Sequence, residues 1–130
     1  MRSWPTVYIP ALPQRFALPQ LSLYNSADRA LIPVPKQDTY RIYVCGITPY
    51  DATHLGHAAT YLIFDVIIRY LKASGAEVKF VQNITDIDDP LLERAVRDGV
   101  DWQELANSQI DLFRGDMSDL HVIPPNHYIG

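Results

Sequence analysis

From Ala59 onward the apolar residues keep a helical rhythm. Ala59, Leu62, Ile63, Val66, Ile67, Tyr70 and Leu71 recur at i, i+3, i+4, i+7, i+8, i+11 and i+12. Phe64 and Ile68 widen that surface, which predicts a deeply packed helix. Asp65 and Arg69 are spaced to pair at i, i+4 on its more polar side, and Gly75 is placed to end it. Before this helix, "TYRIYVCG" is rich in β-branched and aromatic residues and predicts a buried strand closed by Gly46. After it, "EVKFVQNIT" predicts a second strand. "DIDDPLLERAVRDG" then predicts a helix with Asp89 as N-cap, Pro90 at its first position and Gly99 as its stop. A further helix is expected from Asp101, where Glu104 completes a capping-box-like pair. Its apolar stripe is Trp102, Ala106, Ile110, Phe113, Met117 and Leu120.

The front of the chain has a different texture. Residues 1–20 hold four of the ten prolines and are expected to lie extended over a partner surface. "LSLYNSADRALIPV" has two short apolar runs around Asn25–Asp28 and predicts a hairpin. Two regions follow: residues 1–37, a Pro-rich extended segment with the hairpin, and residues 38–130, an α/β unit. Within the second, two strands joined by a helix of this length make a βαβ unit with parallel strands and a right-handed crossover. Parallel strands finish on one edge, and open α/β sheets bind ligands at that edge. Cys45 and Thr48 follow the first strand, while Asn83, Thr85 and Asp86 follow the second.

Composition narrows the class. At 130 residues and 48% hydrophobic, the chain suits one domain or part of a larger one. A formal charge of −4 argues against a surface built to coat nucleic acid. A single cysteine excludes an internal disulfide and makes a reducing compartment the expected setting. The proline-broken N-terminus lacks the apolar core of a signal peptide, and no run reaches the ~18 apolar residues of a membrane span. A soluble, cytoplasmic protein is the expectation. "HVIPPNHYIG" ends on a Pro-Pro loop and apolar residues, which suggests the front part of a longer polypeptide.

The candidate chemistry lies in "CGITPYDATHLGHAATY". His54 and His57 fall at a loop-to-helix junction, where backbone N–H groups and the helix dipole favour a phosphate. Gly56 is expected to let that phosphate approach the backbone. Two imidazoles can donate to oxygens that gain charge when a phosphate is attacked. The plainer reading makes one histidine a cap and leaves the other exposed. Cys45 is open to three readings: a small buried hydrophobe, a nucleophile with His54 or His57 as base, or a metal ligand. Among "NITDIDD", Asn83 and Thr85 suit ligand contact, Asp88 and Asp89 suit capping, and Asp86 suits either. His121 and His127 suit an ordinary surface.

"YVCGITPYDATHLGHAATY" followed by "FVQNITDIDDPLLERA" closely resembles the class I cysteinyl-tRNA synthetase group. Within it the chain looks most like the cysteine ligases of mycothiol biosynthesis, from "MRSW" through "LYNSADR" and "DGVDWQELA" to "PPNHYIG". Synthetases usually read Cys-Gly-Pro-Thr-Val-Tyr-Asp where this chain has Ile47 and Pro49. They usually carry Ala-Arg where Ala58 is followed here by Ala59 and Thr60. Both departures match the ligase pattern.

The resemblance implies a Rossmann-like, parallel-sheet catalytic domain of class I aminoacyl-tRNA synthetase type, present here in part. It implies that Cys45 is a zinc ligand, with the other ligands and a lysine-containing "KMSKS" loop lying beyond residue 130. The chain alone is then expected to hold zinc poorly and catalyse little. A zinc-bound thiolate would select cysteine over serine. The implied substrates are L-cysteine, ATP with Mg2+, and a glucosaminyl-inositol, joined through cysteinyl-AMP. Cys45, Gly46, Ile47, Thr48, Thr60, Asn83, Ile84 and Thr85 would line the adenylate site, and His54 and His57 would act on the phosphate. No membrane or nucleic-acid partner is expected, and a monomer is expected at full length. Rival readings are a cysteinyl-tRNA synthetase, a non-catalytic nucleotide-binding module, and another His-x-Gly-His nucleotidyltransferase.

Overall fold

Parallel pairing of two strands on either side of one long helix organises the chain, and a computed structural model describes it at residues 1–13, 17–85 and 87–130. The elements run β1 (Ser22–Asn25), β2 (Ala30–Pro33), β3 (Thr39–Val44), α1 (Leu55–Ala73), β4 (Glu77–Asn83), α2 (Asp89–Asp98), α3 (Trp102–Asp119) and β5 (His127–Ile129). β1 and β2 form the expected antiparallel hairpin, with Asn25 opposite Ala30. Its turn is held by the Asn25 side chain, which accepts from the Ala27 N–H and donates to Asp28.

β3 and β4 are parallel, pairing Thr39 with Glu77 through Val44 with Gln82. β5 adds a third parallel strand, so the described sheet has the order β3-β4-β5. The sequence pattern predicts no strand there. Three residues after a Pro-Pro turn carry too little periodicity, and β5 exists because its groups complete the ladder of β4. The expected burial of β3 is also only partial. Val44 is buried, whereas Tyr43 is 61% exposed, because successive side chains point to opposite faces and the core lies on the Val44 face; Lys79 of β4 is exposed on the other.

α1 forms where the rhythm predicts, with a different face inward. Tyr61, Asp65, Ile68 and Leu71 are its buried residues, and Ile63 and Val66 are more than 60% exposed. Asp65 therefore leaves the polar side assigned to it. One carboxylate oxygen accepts from the Ile123 N–H at 2.8 Å, and the other pairs with Arg69 at 2.6 Å. The Arg69 guanidinium also donates to the His121 carbonyl at 2.7 Å. A carboxylate can be buried when its oxygens are satisfied in this way.

The cap of α2 is Asp88 rather than Asp89. Asp88 is extended (φ −140°) and accepts from the Leu91 N–H, while Asp89 sits in the first turn, where the helix dipole favours its charge. Gly99 ends α2 in the left-handed region at φ 67°, as expected. Asp101 caps α3 by accepting from the Gln103 and Glu104 N–H groups. The α3 stripe is Leu105, Ala106, Ile110, Phe113 and Met117; Trp102 is half-buried and Leu120 is exposed at the C-cap.

The main core gathers Val44, Phe80 and Tyr128 from the sheet with Tyr61, Ile68, Phe113 and Met117 from the helices. Trp4 joins it, edge-on to Phe113 and Tyr128, and donates its indole N–H to the Val122 carbonyl at 2.7 Å. The extended N-terminus thus covers the chain's own core at Trp4, with Val7 and Ile9 packed beside it. A smaller cluster of Leu91, Ala95, Leu105 and Ala106 joins α2 to α3. No described helix is long and apolar enough to cross a membrane.

Candidate active site

The carboxyl ends of β3 and β4 release two loops side by side, and backbone groups stitch them together. The Asn83 side-chain oxygen accepts from the Gly46 N–H at 2.8 Å and from the Tyr43 hydroxyl at 2.9 Å. The Thr85 N–H donates to the Ile47 carbonyl at 2.9 Å, and the Ile84 N–H to the Ile129 carbonyl at 2.7 Å. Gly46 is required sterically: a Cβ there would lie 1.5 Å from the Asn83 carbonyl oxygen. Residues Cys45–Thr48 and Asn83–Thr85, forty positions apart, so become one surface.

Within that surface the side chains divide. Ile47 and Ile84 point into the main core and are buried. Cys45 is exposed, and Gly46, Thr48, Asn83 and Thr85 are half-buried. Asp86 lies outside the described residues.

The histidines build the start of α1 on themselves. His54 is the extended N-cap, and its Nδ1 accepts from the Gly56 N–H at 3.0 Å. In return the His57 Nδ1 accepts from the His54 N–H at 3.2 Å. Because both Nδ1 atoms act as acceptors, the proton of each neutral ring sits on Nε2, leaving two N–H donors for a ligand. The rings lie 4.1 Å apart between centroids. His57 is held below the ordinary imidazole value, first by burial and then by the neighbouring His54.

Gly56 serves a purpose other than the one its sequence suggests. A Cβ there would meet the His54 ring at 2.8 Å, so its space is taken by His54 and not by an approaching ligand. The Gly56, His57 and Ala58 N–H groups are likewise used within the cap. Beside the N–H of Leu55 at the first position of α1, the imidazole N–H groups are thus donors this helix start offers.

Cys45 meets α1 through Tyr61, whose hydroxyl donates to the Cys45 carbonyl at 3.3 Å. Burial, and secondarily Cys45, pushes the Tyr61 hydroxyl up to about 12, so it stays a donor. Thr60 is exposed and donates to the Gly56 carbonyl at 3.1 Å. Among the described residues no three His, Cys, Asp or Glu side chains are grouped to hold a metal ion. The Cys45 thiol offers one ligand, and the described residues do not complete a zinc site.

Several positioning groups escape the sequence pattern. Arg94 of α2 reaches Asp51 at 2.8 Å, the Tyr50 carbonyl at 3.1 Å and Asp98 at 2.6 Å. Arg94 lowers Asp51; Arg97 and then Arg94 hold Asp98 at about 2; and Asp98 and Asp51 in turn raise Arg94. Thr53 donates to Asp116 of α3. The Arg94–Asp98 spacing of i, i+4 is visible in sequence; the partners across 43 and 63 positions are not. A concave space of about 410 Å3 opens beside His54, between Ala58 of α1, Asp116 of α3 and the C-cap residue Leu120.

A parallel sheet with loops joined at its carboxyl edge, and histidines starting the crossover helix, is an open α/β arrangement of the kind that places ligand sites at that edge. The family described as "tRNA synthetases class I (C) catalytic domain" matches residues 32–129, and the chain belongs to that family. Among curated proteins it is 63% identical to the L-cysteine:1D-myo-inositol 2-amino-2-deoxy-alpha-D-glucopyranoside ligase 2 of Corynebacterium jeikeium (strain K411). It is 61% identical to the ligase of that name without the number from Corynebacterium diphtheriae, and 57% identical to the one from Nocardia farcinica. Each similarity covers 100% of this chain and 31% of the relative. The chain thus spans under a third of the length of these relatives.

Proposed function

We propose that the natural polypeptide carrying these residues ligates L-cysteine to the amine of 1D-myo-inositol 2-amino-2-deoxy-alpha-D-glucopyranoside, with ATP and Mg2+, in mycothiol biosynthesis. The observation that carries this reading is identity of 57–63% to ligases of that name along the whole chain. In the first step a cysteine carboxylate oxygen attacks the α-phosphorus of ATP, the bond to the β-phosphate oxygen breaks, and pyrophosphate leaves. In the second the acceptor amine attacks the carbonyl of cysteinyl-AMP, loses a proton, and AMP leaves as the amide forms.

Cys45, Gly46, Ile47, Thr48, Thr60, Asn83, Ile84 and Thr85 form the adenylate-binding set in this proposal. Ile47 and Ile84 act through backbone placement, since their side chains are buried. The His54 and His57 Nε2–H groups donate to the phosphate oxygens as charge gathers on them. Cys45 is one zinc ligand, its partners coming from outside these residues; zinc would hold a substrate thiolate. A cytoplasmic monomer without a nucleic-acid partner completes the reading.

AMP release by the natural polypeptide, given cysteine and ATP with either the amino sugar or tRNA, tests it. We expect release to rise with the amino sugar only. A rise with tRNA only would make the protein a synthetase.

A further inference from the structure

We propose that Arg94 and Asp116 are positioning residues for this reaction: together they fix the loop that joins the Cys45–Thr48 surface to the histidines. The proposal rests on the ligase reading for its chemistry and on the loop's contacts for its geometry. Residues 48–53 contain no helix or strand, yet they set the distance between two groups that must act on one reaction. The cysteine side belongs to the end of β3 and the phosphate side to the start of α1. A free loop would let these drift.

The anchors come from the two helices that follow β4 in the chain. Arg94 donates to both the Asp51 carboxylate and the Tyr50 carbonyl, and is aimed by Asp98 one turn later. Three acceptors on one planar guanidinium set its direction more firmly than a single exposed pair would. Asp116 takes the hydroxyl of Thr53, the residue immediately before the N-cap His54. One anchor therefore grips the middle of the loop and the other its exit into α1. α2 and α3 are themselves joined through Leu91, Ala95, Leu105 and Ala106, so the anchors share one support. Neither Arg94 nor Asp116 has to touch a substrate. Their effect is on geometry, where a displacement of about 1 Å can cost about 10²-fold in rate.

The test uses Arg94→Ala, Asp51→Ala, their double variant and Asp116→Ala in the natural polypeptide. Hydrogen exchange at residues 50–57 and the melting temperature report on the anchor. Cysteine-dependent exchange of pyrophosphate into ATP reports on the reaction. We expect faster hydrogen exchange in this loop at an unchanged melting temperature, with kcat lowered about tenfold or more and KM values changed less. The double variant should lose less than the sum of the two single variants, because both remove the Arg94–Asp51 pair, and Arg94→Lys should recover part of the rate. Unchanged loop protection, or additive losses in the double variant, would overturn the anchor. Faster loop exchange with an unaltered kcat would overturn its role in the reaction. No pyrophosphate exchange by the unsubstituted polypeptide would sink the ligase reading and with it the catalytic role; the hydrogen-exchange result would still judge the anchor.

Discussion

Gly46 and the two histidines show how much a single residue decides here. Gly46 lets the loop after β3 cross the end of β4, and the Asn83 carbonyl occupies the place a side chain would need. Gly46→Ala must push the loops apart, and we expect a loss of about 1–3 kcal/mol in urea unfolding, in line with other overpacked sites. His57 contributes through its neutral form, whose Nδ1 accepts the His54 N–H. Its proton affinity is lower in the folded chain than in the unfolded one, so the unfolded state binds more protons as the pH falls. This contribution is complete above the ordinary value of 6.5 and is lost as the pH drops below it. His57→Gln keeps an acceptor at the same helical position without the titration. Its melting temperature should therefore decline less than the wild type's on acidification through that range. The same variant, or His54→Ala, should lower the adenylation rate by about 10²-fold while cysteine binding changes less; equal losses in both would contradict a role in the transition state.

At the scale of elements, α1 is placed by a polar contact inside an apolar face. Asp65 ties the middle of the helix to the segment entering β5, and Arg69 ties the next turn to the end of α3. Asp65→Ala leaves the Ile123 N–H without its acceptor, and we expect a cost of about 1.5–3 kcal/mol. Asp65→Asn, whose side-chain oxygen can still accept, should cost less. Equal losses in the two variants, measured by denaturant unfolding, would show that the amide fails to replace the carboxylate. The helical rhythm marked α1 as apolar around most of its circumference, and such a pattern does not say which apolar residues win the core. The sheet supplied the missing information: Tyr61, Asp65, Ile68 and Leu71 face inward, and Ile63 and Val66 do not. The one-residue error at the α2 cap has a local cause. Asp88 and Asp89 both suit a cap, and the backbone at Asp88, extended at φ −140°, is the one in cap geometry.

Over the whole molecule, the first residues and the last strand meet. Trp4 packs on Phe113 of α3 and Tyr128 of β5, binding the N-terminal segment to the α/β unit. Trp4→Ala should cost about 3–5 kcal/mol in chemical denaturation; a near-neutral result would mean that the segment contributes little to the core. By itself, the sequence determined the order of strand, helix, strand and two helices, the hairpin, the Gly99 stop, and the short motifs that resemble a class I site. Those features depend on residues within a few positions of each other, so spacing and backbone preference suffice. Tertiary structure alone decided the burial of Asp65, the strand β5, the filling of the space at Gly56 by His54, and the grip of Arg94 and Asp116 on the loop between cysteine and histidines. Three of these are contacts between elements far apart in the chain. The His54 ring is held over Gly56 by its bond to the Gly56 N–H, a side-chain orientation that spacing does not specify.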